Sequence, residues 1–177
     1  PDLSVPEVRN EDEWNLYCRM IRNGLDWSRP DSRWHPEFMR EVDMTRDRPY
    51  FSRTASANAL PLIEGRMVHQ HRFGAKAYVC GTGRSAKWDI ALPGGSVVRP
   101  QFFIQPDSLS EGARRRSSLL RAGFCDITGQ TNERSALAAI IPPGVACGNK
   151  VPTVLFPNDS RDERLWLWVA IFNSLPF

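Results

Sequence analysis

The stretch that decides the fold lies between residues 123 and 150. It reads GFCDIT over 123–128, TNER over 131–134, ALAAIIP over 136–142 and GNK over 148–150. Two apolar runs separated by a polar corner are the pattern of two paired strands. The corner carries an amide, a carboxylate and a guanidinium in succession, and Asn and Arg are residue types that read adenine and guanine edges. The alternative is a polar turn in which Glu133 and Arg134 pair with each other or with the backbone.

The chain as a whole has 177 residues, of which 41% are hydrophobic and 24% charged. This composition is ordinary for a globular domain with a core of its own. The sequence contains no apolar run long enough to span a membrane and no signal peptide. Four cysteines lie far apart and form no Cys-x-x-Cys pair, which predicts reduced thiols and a cytoplasmic location. Because the chain begins at Pro1 and stops within an apolar run, we expect a piece of a longer protein.

The periodicities predict an α+β, β-rich single domain over residues 1–177, with a helix near each end. The first helix starts at an Asn10 cap and presents one apolar face to the core (Trp14, Tyr17, Cys18, Ile21, Leu25). The last follows a capping box at Ser160 and is apolar on every side over 165–172, which predicts burial all round. Between them we predict strands at 38–44, 62–73, 101–105 and 151–156, and a helix within 108–120 that carries three arginines. Gly65 indicates a bulge or a close backbone approach.

Net charge is only +3, but its distribution is uneven. Residues 65–121 hold ten Lys or Arg and three Asp or Glu, a local excess of +7. A basic middle in a nearly neutral chain indicates a face for a polyanion, whereas the alternative is a solvated basic surface without a partner.

Two catalytic alternatives remain open at this point. His69 and His71, two apart on a predicted strand, share one face and could ligate a metal, with His35 as a third ligand. A metal-dependent nuclease could use Glu64 with Asp43 or Asp47, although Arg66 stands where such sites need a lysine. A third hypothesis, an interaction module in a larger assembly, rests on the apolar helix at 165–172.

Five motifs together resemble a known family. They are REVDMTxD over 40–47, LIEGRMVHQ over 62–70, DI at 126–127 with TNER at 131–134, IP at 141–142 with GNK at 148–150, and FNSLPF over 172–177. The series resembles the C-terminal target-recognition region of large bacterial adenine-N6 DNA methyltransferases. Those include fused type II restriction–modification enzymes and phage-defence methyltransferases. The chain departs from the pattern at Arg66, where Lys is usual, and at His71, where Phe is usual, and residues 74–121 match nothing.

The resemblance implies a specificity segment that holds double-stranded DNA while a catalytic domain N-terminal to it flips and methylates an adenine. It implies no cofactor in this segment, S-adenosylmethionine in the parent protein, and Mg²⁺ where a nuclease is fused. The segment by itself is expected to carry no catalytic residue. The predicted DNA contacts are His69, Gln70, Arg72, Lys76, Arg84, Lys87, Arg114, Arg115, Arg116, Asn132, Arg134 and Lys150.

Overall fold

The computed structural model describes residues 7–23, 32, 34–92, 98–127 and 136–174. The elements in those residues are α1 Glu11–Asn23, β1 Glu37–Met39, β2 Phe51–Ser52, β3 Leu60–Ile63, β4 Val68–His69, β5 Arg72–Phe73, β6 Lys76–Cys80, β7 Lys87–Ile90, β8 Phe102–Ile104, α2 Glu111–Ser117, β9 Arg121–Phe124, β10 Ala138–Ile141, β11 Ala146–Cys147, β12 Thr153–Leu155 and α3 Glu163–Phe172. The fold is α+β and β-rich with a helix near each end, which confirms the predicted class.

The deciding stretch forms the predicted pair of strands. β9 runs antiparallel to β10, with Phe124 opposite Ala138 and Gly123 opposite Ala139. A side chain at Gly123 would place its Cβ 2.8 Å from Ile141 Cγ1, so the packing of this pair requires a glycine. The polar corner between the strands, with Asn132 and Arg134, lies outside the described residues.

Two four-stranded sheets carry most of the core. The first has the order β1-β12-β9-β10 and is covered by α3, whose Leu165, Trp168 and Val169 pack against small and branched side chains of the sheet. The second has the order β11-β3-β8-β2, with β11 parallel to β3. Two further ribbons, β4–β5 and β6–β7, are separate antiparallel pairs.

A buried ion pair joins the two sheets. The Arg121 guanidinium on β9 donates from Nε and Nη2 to the two carboxylate oxygens of Glu41, at 2.6 and 3.0 Å. Glu41 also accepts from the Cys147 backbone N–H on β11 and from the Thr153 hydroxyl on β12. The carboxylate therefore contacts β9, β11 and β12 together.

The terminal helices form where the sequence predicts them, but their surroundings differ from the prediction. Asn10 Oδ1 accepts from the Glu13 N–H at 2.9 Å, which confirms the N-cap of α1. No residue of α1 is buried, so the prediction that its apolar face lies in the core is wrong. Leu25, the last residue of the predicted face, lies outside the described residues.

The last helix also departs from its prediction in two respects. Asp159, rather than Ser160, accepts from the backbone at the start of α3, at 2.6 Å from the Arg164 nitrogen. Burial all round is also wrong, because the sheet covers only one side of α3. Trp166, Leu167 and Ile171 on the other side are exposed.

The predicted strand over 62–73 is wrong as a single element. β3 ends at Ile63, a 3-10 turn spans Gly65–Met67, and β4 and β5 then form a hairpin. His71 lies in the hairpin turn with φ +53°, so His69 and His71 do not share a strand face. The strand predicted over 38–44 is shorter, because only residues 37–39 pair with β12 and Val42 forms an isolated bridge with Gly148. β8, α2 and β12 confirm the other predicted elements.

Candidate nucleic-acid interface

A cleft of about 1000 Å³ opens beside the 3-10 turn that follows β3. Its walls come from this turn, from β4, from the β6–β7 hairpin and from the segment after β11. The lining residues are Met44, Thr45, Glu64, Gly65, Arg66, Val68, His69, Gln70, Lys76, Trp88, Cys125, Ile127, Leu137, Gly148, Asn149 and Lys150. Three cationic side chains and one carboxylate thus face one concavity.

Four of the predicted DNA contacts meet in this cleft, namely His69, Gln70, Lys76 and Lys150. Gly65 allows the backbone at Lys150 to lie against the motif over 62–70. A Cβ at Gly65 would lie 3.3 Å from the Lys150 carbonyl oxygen, which confirms the expected close backbone approach. Gln70 Nε2 donates to the Asn173 carbonyl oxygen at 3.1 Å and so ties the cleft wall to the end of α3.

The β6–β7 hairpin extends from the cleft edge and carries further cations. Lys76 on β6 lines the cleft, whereas Lys87 on β7 and Arg84 in the connecting turn are exposed outside it. Among the described residues, none of these three side chains has an ion-pair partner. Arg72 lies opposite His69 in the β4–β5 register, and its Nη2 is buried without a hydrogen-bond partner in the described structure.

The three arginines of α2 do not behave alike. Arg114 and Arg115 are exposed and do not line the cleft. Arg116 is buried, and its guanidinium donates to the Thr153 carbonyl oxygen at 3.4 Å and to the carbonyl and carboxylate oxygens of Glu37 at 3.1 and 3.3 Å. The prediction of Arg116 as a DNA contact is therefore corrected: its donors are occupied in joining α2 to β1 and β12.

Arg66 also lines the cleft, although the predicted set of contacts omits it. The Arg66 guanidinium lies 5.0 Å from the centroid of the Trp88 ring, and its Nε lies 3.8 Å from Glu64 Oε2. The Trp88 ring in turn meets the Tyr78 ring edge-on at 5.5 Å across the hairpin. The spacing of Glu64 and Arg66 around Gly65 was the available sequence signal, whereas nothing in the sequence marked Trp88.

Two residues that line the cleft carry a buried polar atom without a hydrogen-bond partner. Within the described residues there are four such side-chain atoms, and Glu64 Oε1 and Trp88 Nε1 belong to cleft-lining residues. Burial raises the pKa of Glu64, although the nearby Arg66 charge acts in the opposite direction. Unsatisfied buried groups oppose folding, so Glu64 Oε1 and Trp88 Nε1 are candidates for contact with a ligand or water.

Cys125 also lines the cleft. Burial raises its pKa to about 11, so the thiol is protonated near neutral pH. Its sulfur donates to the carbonyl oxygens of Gly65 and Val68, at 3.1 and 3.3 Å, and so supports the turn beneath Arg66.

Asp43 and Asp47, the other carboxylates of the nuclease hypothesis, take part in local backbone hydrogen bonds. Asp43 Oδ1 accepts from the backbone of Thr45 and Arg46, which lowers the pKa of Asp43, and Asp47 accepts from the Asp43 N–H at 2.8 Å. These bonds build the turn after Val42. In the part of the chain that the structure describes, no group of three His, Cys, Asp or Glu residues is placed to hold a metal ion.

Comparison with known protein families, characterised proteins and solved structures gives no match to this chain. None of the described helices has the length and apolar character needed to cross a bilayer.

Proposed function

We propose that this chain is a sequence-specific double-stranded DNA recognition domain. The observation that carries the proposal is the cleft, where Arg66, Lys76 and Lys150 stand beside the hydrogen-bonding side chains of His69, Gln70 and Asn149. Duplex recognition requires this combination, because cations hold the phosphates while Arg, Gln, Asn and His side chains reach base edges.

The β6–β7 hairpin supplies the phosphate contacts in this proposal. Lys76, Arg84 and Lys87 belong to one antiparallel ribbon and lack ion-pair partners in the described structure. A two-stranded ribbon fits the major groove of B-form DNA. Arg114 and Arg115 on α2 would contact phosphates outside the cleft.

The resemblance of the five motifs extends the proposal to the parent protein. That protein would be a bacterial, cytoplasmic adenine-N6 DNA methyltransferase, free-standing or fused in a restriction–modification enzyme of phage defence. Its S-adenosylmethionine domain would lie N-terminal to this chain, and Mg²⁺ would serve a fused nuclease. This segment would select the sequence and contribute no catalytic residue.

Fluorescence anisotropy with a labelled random-sequence duplex, repeated across a salt series, tests DNA binding by the chain. We expect log affinity to fall by several units per unit of log salt concentration, since each neutralised phosphate contributes about 0.9. Replacing Lys76, Arg84 and Lys87 together by Ala should weaken binding to all duplexes and reduce that slope by up to about 3.

The matched control removes the same charge elsewhere. Arg9, Arg19 and Arg22 are exposed and do not line the cleft, so their replacement by Ala should leave the slope nearly unchanged. Equal losses in both triple variants would mean that only net charge matters, and the hairpin would not be the phosphate-binding element. A wild-type chain that fails to bind any duplex at low salt would overturn the proposed function.

A second function is favoured by the uncovered face of α3. One side of α3 packs on the sheet, whereas Trp166, Leu167 and Ile171 on its other side are exposed. An exposed apolar surface of this kind is typical of a protein-interaction site. The methyltransferase domain of the parent is the proposed partner, and the two functions are compatible. If the two parts are produced as separate chains, Leu167→Glu with Ile171→Glu should abolish their copurification, and retained copurification would contradict this role.

A further inference from the structure

We propose that Arg66 is the guanine-reading residue of the cleft, with Glu64 and Trp88 as its positioning residues. This inference rests on the proposed function and deepens it by naming a base. Arg reads guanine by donating two parallel hydrogen bonds to O6 and N7 in the major groove. Such readout requires a guanidinium that is held in place, exposed at its donor end and free of other acceptors.

The guanidinium of Arg66 is held from two sides. The central guanidinium carbon, Cζ, lies 5.0 Å from the Trp88 ring centroid, within the range of a cation–π contact. Its Nε faces the Glu64 carboxylate at 3.8 Å. The Trp88 ring is itself fixed, because it contacts the Tyr78 ring and the Tyr78 hydroxyl donates to the Gly81 carbonyl oxygen at 2.7 Å.

The donors of Arg66 are available to a ligand. The side chain is 46% exposed and lines the cleft, and it donates no hydrogen bond to a described residue. By contrast, the buried guanidinium of Arg121 uses Nε, Nη1 and Nη2 within the protein. Arg66 therefore combines a fixed position with unused hydrogen-bonding capacity.

The neighbouring carboxylate decides between a base and a phosphate as the ligand. Glu64 is only 16% exposed and lies beside Arg66, so its negative charge would repel a phosphate brought to the same guanidinium. A guanine edge carries no net charge and offers two acceptors, so the carboxylate opposes it much less than it opposes a phosphate. The hairpin residues Lys76, Arg84 and Lys87, which have no described carboxylate partner, suit phosphates instead.

The test begins with selection of bound duplexes from a randomised pool by the whole 177-residue chain. The wild type should enrich a guanine at one position at least. Arg66→Lys keeps the charge but loses the two-pronged geometry, so it should keep affinity for the unselected pool while losing that guanine preference. Discrimination at this position should fall from about 5–150-fold to near onefold. Arg48→Lys is the matched control, since Arg48 also lies over an aromatic ring, at 5.8 Å from the Phe102 centroid, but outside the cleft.

A second form of the test removes one acceptor atom from the DNA. The selected guanine is replaced by 7-deazaguanine, which lacks the N7 acceptor. The wild type should lose affinity for the modified duplex, whereas Arg66→Lys should bind both duplexes equally. Glu64→Gln and Trp88→Ala should reduce discrimination without lowering affinity for the unselected pool, as expected of positioning residues.

The outcomes separate this inference from the proposed function. A wild-type chain that binds no duplex overturns both. Salt-dependent binding with an unchanged guanine preference in Arg66→Lys supports the DNA-binding domain but overturns Arg66 as the reader. Salt-dependent wild-type binding without any sequence preference overturns both the sequence-specific function and the role of Arg66.

Discussion

Two Glu–Arg pairs in this chain differ in burial and in how far their hydrogen-bonding groups are satisfied. The Glu41 and Arg121 side chains are 0% exposed and meet through two hydrogen bonds of 2.6 and 3.0 Å. Glu41 also accepts from the Cys147 N–H and the Thr153 hydroxyl, and Arg121 also donates to the carbonyl oxygens of Leu119 and Val145. In the Glu64–Arg66 pair, the nearest charged atoms lie 3.8 Å apart, one carboxylate oxygen is buried without a partner, and the guanidinium is half exposed. The Glu41–Arg121 pair has its hydrogen-bonding groups satisfied within the fold, whereas the Glu64–Arg66 pair leaves donors and an acceptor unused.

The largest expected effect comes from breaking the Glu41–Arg121 pair. Arg121→Met leaves the Glu41 carboxylate buried without its counter-charge, so the free energy of unfolding should fall by about 3–5 kcal/mol. Urea denaturation of the variant and the wild type measures the difference. The double variant Glu41→Leu with Arg121→Met removes both charges and should recover most of that loss. A loss below about 1 kcal/mol in the single variant would refute the structural role of the pair.

The sequence predicts one of these pairs better than the other, for a physical reason. Glu64 and Arg66 flank Gly65, and a local motif indicates the close approach that the Lys150 carbonyl oxygen makes there. Glu41 and Arg121 are 80 positions apart, and no periodicity links a residue after β1 with one on β9. Only the pairing of β12 with both β1 and β9 brings them together.

Similar reasoning explains the outcomes for helices and strands. Local signals, such as the Asn10 cap and the apolar runs on either side of the polar corner, place α1, β9 and β10 correctly. Apolar content does not specify what covers a surface, so the burial predicted for α1 and for both sides of α3 is wrong. Arg116 shows the same limit, because its charge favoured a surface role while tertiary contacts with Glu37 and Thr153 place it inside.

An intermediate effect is expected at the carboxylate of the Glu64–Arg66 pair, and its size depends on pH. Burial raises the pKa of Glu64 in the folded state, so the folded chain holds this proton more tightly than the unfolded chain. Stability from this group is therefore complete below the ordinary pKa of 4.5 and declines as pH rises through the folded pKa. Glu64→Gln removes the decline, so it should be more stable than the wild type at neutral pH.

Urea denaturation of both proteins between pH 4 and pH 7 checks this expectation. The difference in unfolding free energy should be small at the acidic end and grow toward neutrality. A difference that stays constant with pH would show that burial does not raise the pKa of Glu64.

The smallest effect on stability is expected at Arg66, where the loss of the guanine preference should be large by comparison. Its ion pair is long and half exposed, so Arg66→Ala should change the free energy of unfolding by only about 0.5 kcal/mol. The same substitution should remove the guanine preference of the cleft, whereas Arg121→Ala should destabilise the fold. Urea denaturation and duplex selection on one preparation of each variant compare the two effects directly. A loss at Arg66 as large as that at Arg121 would mean that both pairs serve stability, because a residue reserved for a ligand contributes little to the fold in its absence.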